Sequence, residues 1–336
     1  MDKLKPNDPR YERKSVEING HRWGYLDAVP EGKTKGVVVL VHGFPDLSLA
    51  WRYQIPLLLK LDFRCIALES MGYGETGTSS TLRDFSFKSH ADAVAGLAKS
   101  LGVERIILGG HDWGGAVVYR IAQWYPDLVS HVFSVCTAYM PPNDTWVPLE
   151  QFVQKMPNFG YQLQFGSDDR KVENVVKDAE TMRKFLNGLY GGKNSSGRVV
   201  MTPENGVNLD VIRDDEVELS PLLDQEELDY YVKEFLKNGI NGPLNWYRTR
   251  KVNYEDDLNM PAAVKETIKQ PTLYILANKD AILKRELSIG MEKVIPNLTR
   301  GEVPAGHWAL WQTAKETNAI IEDWFNGVVL GGKTKI

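Results

Sequence analysis

The chain reads as an α/β protein, a mostly parallel central sheet flanked by helices, with a helical lid inserted in it. Three observations predict this. Continuous β-branched and apolar runs alternate with helical patterns as far as residue 137, the rhythm of βαβ units. That rhythm stops over residues 138–255, where helical patterns stand between polar, glycine-bearing loops. It returns at residue 271 and closes on a last helix. The expected division is a core of 1–137 and 256–336 around a lid of 138–255.

In chain order, "RKSVEI" and "HRWGYLDA" flank Asn19-Gly20, a strong hairpin signal. "GVVVLVHG" (36–43) and "FRCIALES" (63–70) are the continuous apolar runs of strands buried on both faces, with a helical period over 50–62 between them. An amphipathic helix is expected over 85–102, a strand over 105–110, an apolar helix from Trp113 to Pro126 and a strand over 128–136. "TAYMPPNDTWVP" opens the lid, whose clearest helices are "VVKDAETMRKFLNGLY" and "DQEELDYYVKEFLKNG", with no buried strand expected. "PTLYILAN" (271–278) and "TRGEVP" (299–304) are the returning strands, and "GGKTKI" is expected to fray.

Hydrophobic and charged contents of 43% and 25% suit a globular protein, and a net charge of −4 without a basic block argues against nucleic acid as a partner. "MDKLKPNDPRYERKS" lacks a signal's apolar stretch, and no run reaches membrane-span length. A cytoplasmic protein without a membrane span is the expectation, as a monomer or homodimer. Cys65 and Cys136 lie in apolar segments and are expected as buried thiols.

The chemistry concentrates in "IILGGHDWGGAVVYRI" (106–121), a strand running through paired glycines into a helix. Such a turn usually presents a nucleophilic serine, and here it presents Asp112. A helix N-cap is the plainer use of an aspartate. The small residues Gly110 and Gly114 and the strand feeding the turn favour a nucleophile elbow instead. A phosphate loop would need G-K-[ST], which does not follow. In such a site the oxyanion donors are the backbone N–H of Trp113 and of Phe44 in "VHGFPD". The late acid and base are Asp280 in "LANKDAIL" and His307 in "VPAGHWALW", both just past strands, with Asp144 as an alternative acid. His42 is expected to brace its own loop, and His111 to point away from Asp112. Phe44, Trp113 and Trp308 are expected beside the substrate. A carboxylate nucleophile suits attack at an sp³ carbon, forming an alkyl ester that a water activated by His307 then hydrolyses. An epoxide oxygen leaving as alkoxide needs an acid, for which a tyrosine serves; a halide does not.

With "HGFPD", "WRYQ", "GYGET", "GGHDWGG", "NKD" and "AGHW", and with "FGYQLQF" (159–165) and "GPLNWYR" (242–248) in the lid, the chain resembles the epoxide hydrolases of the α/β-hydrolase superfamily over nearly its full length. The resemblance implies the α/β-hydrolase fold, conversion of a small lipophilic epoxide and water to a vicinal diol, and no cofactor or metal. It assigns the two lid tyrosines that polarise the epoxide oxygen to Tyr161 and Tyr247. The "LESMGYG" stretch departs from the acidic and basic residues that often precede "GYG" in the family. The competing readings are a haloalkane dehalogenase with the same Asp nucleophile and a non-catalytic ligand-binding relative.

Overall fold

The computed structural model describes residues 1–331; the rest of the segment expected to fray lies outside the described residues. The hairpin is β1 (Glu12–Ile18) and β2 (His21–Ala28). There follow β3 (Gly36–Val41), α1 (Gln54–Lys60), β4 (Phe63–Leu68), α2 (Phe87–Ser100), β5 (Ile106–His111), α3 (Trp113–Trp124) and β6 (Val129–Val135). The helical pattern over 50–62 divides into a 3₁₀ turn at Ser48–Trp51 and α1.

Between β6 and the next core strand lie α4 (Leu149–Lys155), α5 (Tyr161–Phe165), α6 (Lys171–Val175) and α7 (Ala179–Leu189). A short hairpin, β7 (Met201–Thr202) and β8 (Gly206–Val207), comes next. Its strands are too brief to leave a periodic signal, which is why the sequence shows only a loop there. The segment ends with α8 (Leu209–Asp214), α9 (Gln225–Asn238), α10 (Asn241–Leu244), α11 (Arg250–Leu258) and α12 (Ala262–Lys265). Residue 255 therefore falls inside α11, and helical structure runs past the boundary expected there. The two longest helices of this segment start on reciprocal caps. Asp178 accepts from Thr181 N–H in α7, and Asp224 accepts from Glu227 N–H in α9 while Glu227 reaches back. The chain then returns to the core with β9 (Thr272–Ala277), β10 (Leu298–Val303), α13 (Ala309–Gln312) and α14 (Ala314–Trp324).

The large sheet has the order β1-β2-β4-β3-β5-β6-β9-β10. β1 and β2 pair antiparallel, as do β2 and β4, and the remaining pairs are parallel. β3, rich in valine, is buried on both faces, as a strand covered by helices on each side must be. The chain leaves β3 toward β4 and then crosses back to β5, so β3 and β5 are neighbours with Val41 beside Gly110. The loops after these two strands meet at the sheet's carboxyl edge, where open α/β sheets build their sites. No described helix is long and apolar enough to cross a membrane.

Candidate active site

Asp112 joins β5 to α3 with φ 54° and ψ −126°, a conformation that costs a non-glycine residue about 1–3 kcal/mol. Its side chain accepts nothing from the first turn of α3, so it is not a cap. The adjoining glycines permit the close approach of β3 to the turn: a Cβ on Gly114 would lie 2.0 Å from the Val41 carbonyl oxygen. Across that gap a Cβ on Gly43 would lie 2.3 Å from Asp112 Oδ1, and the Phe44 N–H donates to that same oxygen at 2.8 Å. His42 braces this loop as expected, donating from Nδ1 to the Gly43 carbonyl at 2.8 Å and accepting the Ser70 N–H on Nε2 at 3.1 Å. Thr137 Oγ1 donates to the Asp112 carbonyl at 2.6 Å.

His307 bridges two carboxylates. Its Nε2 lies 3.4 Å from Asp112 Oδ2, and its Nδ1 donates to Asp280 Oδ2 at 2.8 Å. Asp280 is fixed in turn by the N–H groups of Ile282 and Leu283, at 2.8 and 2.9 Å on its other oxygen. Burial works to lower the basicity of His307, but the Asp280 charge and the hydrogen bonds to both carboxylates outweigh it and push the imidazole up to about 10. Burial likewise works against ionisation of Asp280, yet the His307 charge and the two N–H donors bring it down to about 2. Asp112 follows the same pattern: burial opposes its ionisation, and His307 with the Phe44 N–H holds it below the usual carboxylate range. The resting arrangement is an imidazolium between two carboxylates. Asp144 is not part of it; that side chain is exposed and pairs with Lys265.

Above Asp112 lies a cavity of about 360 Å³ whose walls include Trp113, Tyr161, Tyr247, Phe159 and Trp246. Tyr161 comes from α5 and Tyr247 from the 3₁₀ turn after α10, with ring centroids 5.7 Å apart. They meet because α5 ends at Gly166, where a Cβ would stand 2.8 Å from the Tyr247 carbonyl oxygen. Burial, then the Asp112 charge, raises the Tyr161 phenol; burial, then Tyr161 and Asp112, raises that of Tyr247. Both phenols are thus kept in the proton-bearing form. A carboxylate and a pair of phenols lining one apolar cavity, with a charged imidazole beside the carboxylate, can open a strained ring and then hydrolyse the ester.

A family model described as the alpha/beta hydrolase fold matches residues 36–314. The epoxide hydrolase srdG of Neurospora crassa is 36% identical, over 96% of this chain and 98% of that protein. The chain belongs to the epoxide hydrolases of the α/β-hydrolase fold. Bifunctional epoxide hydrolase 2 of Rattus norvegicus is 32% identical over 85% of this chain, which spans about half, 51%, of that longer protein. The crystal structure of epoxide hydrolase A from Mycobacterium thermoresistibile matches with a TM-score of 0.79 at 29% identity, covering 94% of this chain and 98% of that one.

Within this epoxide hydrolase, two of the side chains expected beside the substrate also have packing partners of their own. The Trp308 indole stacks on Trp311 with centroids 5.2 Å apart and donates from Nε1 to the Leu189 carbonyl at 3.0 Å. It ties Leu189 at the end of α7 to the core. Phe44 contributes its N–H, while its ring packs on Phe165, Phe185 and Tyr247. Two other residues have a part the sequence did not reveal. His111 Nε2 donates to the His307 carbonyl at 2.8 Å, and Cys136 Sγ donates to the same oxygen at 3.3 Å. Backbone acceptors leave no mark in a sequence; the only available signal was the nearness of His111 to Asp112.

Proposed function

We propose that this epoxide hydrolase converts a lipophilic epoxide to a vicinal diol through an ester on Asp112. Asp112 attacks a ring carbon; the C–O bond of the ring breaks as the ester bond forms, and the departing oxygen takes the proton of Tyr161 or Tyr247. Esterification removes the Asp112 charge, one of the two that keep His307 protonated, so the imidazole passes its proton back toward the phenolate. Neutral His307, oriented by Asp280, then takes a proton from a water that attacks the ester carbonyl carbon. The tetrahedral oxyanion rests on the N–H groups of Phe44 and Trp113. Collapse releases the diol, whose alkoxide takes the proton of the regenerated carboxyl, and the site returns to its charged resting state. The apolar cavity supports a lipophilic substrate, and the chemistry calls for no cofactor. We read the protein as a cytoplasmic monomer or homodimer.

The observation that carries this reading is the His307 imidazole at 3.4 Å from Asp112, with two phenols lining the same cavity as Asp112. It is tested with water labelled with oxygen-18. In a single turnover the diol should leave unlabelled, because its new oxygen comes from Asp112. After many turnovers, mass analysis should find label in the peptide that holds Asp112. A diol labelled in the first turnover, with that peptide unlabelled, would sink the covalent route.

A further inference from the structure

Two cations line the cavity, Arg120 and Arg250, and they differ in what surrounds them. Arg120 Nε lies 3.1 Å from both oxygens of Asp257, and its Nη1 donates to Gln123 and to the Met140 carbonyl, each at 3.1 Å. Its charge is spent within the protein. Arg250 opens α11, three residues after Tyr247, so the two share one face of the turn and one cavity. Its Nε donates to the Val147 carbonyl at 3.0 Å, and its guanidinium carbon stands 4.7 Å from the centre of the Phe152 ring. Among the described residues, no carboxylate lies within salt-bridge distance of it, and its two terminal nitrogens have no protein acceptor. Burial alone acts on its ionisation, lowering it, with no carboxylate to oppose the effect.

We propose that Arg250 is a specificity-determining residue that binds a carboxylate carried by the substrate at the end remote from its epoxide. Three features decide the form of that substrate. Arg250 is itself only half-buried, as is Val147, to which it donates, and nearby Thr145 is exposed, so the cation stands on the solvent-reached side of the lining. At the floor, Asp112 and Asp280 share a single imidazolium, so the floor is net negative and repels a second anion. The epoxide therefore enters first and the anion stays outside, against Arg250. A guanidinium fork with both terminal groups open matches the two oxygens of a carboxylate. The lining holds no other unpaired cation to balance a doubly charged phosphate.

The inference rests on the epoxide-hydrolase reading, and its test separates the two. Two substrates share one epoxide and one apolar body; one ends in a carboxylate, the other in its methyl ester. The wild-type enzyme should favour the acid in kcat/KM by tenfold or more, mostly through KM, and the preference should shrink as salt is added. In Arg250→Met the ratio of acid to ester should fall to near one, and Arg250→Lys should keep part of it. A lid merely loosened by the substitution would slow both substrates and leave their ratio in place. A wild-type ratio near one, or a ratio that survives in Arg250→Met, overturns the proposal. If wild type hydrolyses neither substrate, and Asp112 takes up no oxygen-18 with an uncharged epoxide either, the epoxide-hydrolase reading falls as well.

Discussion

His307 must be charged at rest and neutral when it activates water, and its two carboxylate neighbours set the order of these states. The folded imidazole titrates at about 10 against an ordinary value of 6.5. A raised value means that the folded state binds the proton more tightly. The stabilisation is therefore complete below pH 6.5 and is lost as the pH rises through 10. His307→Gln has no such proton to hold. The difference in unfolding free energy between wild type and this variant should be level between pH 5 and 6.5, then decline steadily toward pH 10 by denaturant titration. The same variant keeps Asp112 and both phenols, so it should consume one epoxide per site, accumulate the ester by intact mass, and turn over about 10²–10⁴-fold more slowly. A difference that grows with pH would contradict the charge assignment. Asp112, Asp280 and His307 were legible from the chain because each follows a strand and their order is that of the fold. The packing of Trp308 on Tyr190 and Trp311 was not, since tertiary contacts decide how a side chain beside the base is packed.

The motifs "GYGET" and "GPLNWYR" lie far apart in the chain and meet as one joint between elements. A Cβ on Gly242 would stand 2.9 Å from the Gly72 Cα, backbone against backbone, and Gly72 itself has φ +86°. That contact seats α10 on the core turn before the chain reaches Tyr247, so the height of the phenol over Asp112 depends on it. Gly242→Ala should move Tyr247 by a fraction of an ångström and slow ester formation by roughly 10–100-fold. Ester hydrolysis, which does not use the phenol as acid, should change far less. Rapid-quench measurement of the two steps decides the matter, and equal slowing of both would mean general damage to the fold. At this scale, strands and long helices were readable from their periodicity, whereas the β7–β8 hairpin and the continuation of α11 through residue 255 were not. Pairs of two-residue strands and polar helices at a boundary carry too little pattern, and tertiary contacts decide them.

Lid and core are tied by buried polar contacts that also hold the oxyanion loop. Arg52, in the core, lies 2.9 Å from Glu227 of α9, both almost wholly buried. Tyr231 of α9 donates to Asp46 Oδ1 at 2.6 Å, and Tyr190 donates to the Pro45 carbonyl. Pro45 and Asp46 directly follow Phe44, the donor to Asp112. The lid thus grips the loop that is to stabilise the oxyanion. Tyr231→Phe removes one donor and leaves a buried carboxyl without it, at a cost of about 1–3 kcal/mol. Burial has already pushed Asp46 up to about 7, despite the Tyr231 and Leu47 hydrogen bonds, so losing the phenol should raise it further. Unfolding in denaturant should remain a single transition at lower midpoint, because the pair joins one cooperative unit rather than two domains. Ester hydrolysis, which leans on the Phe44 N–H, should slow along with it. A second unfolding transition, or a stability loss with the hydrolysis rate untouched, would show that lid and oxyanion loop are independent.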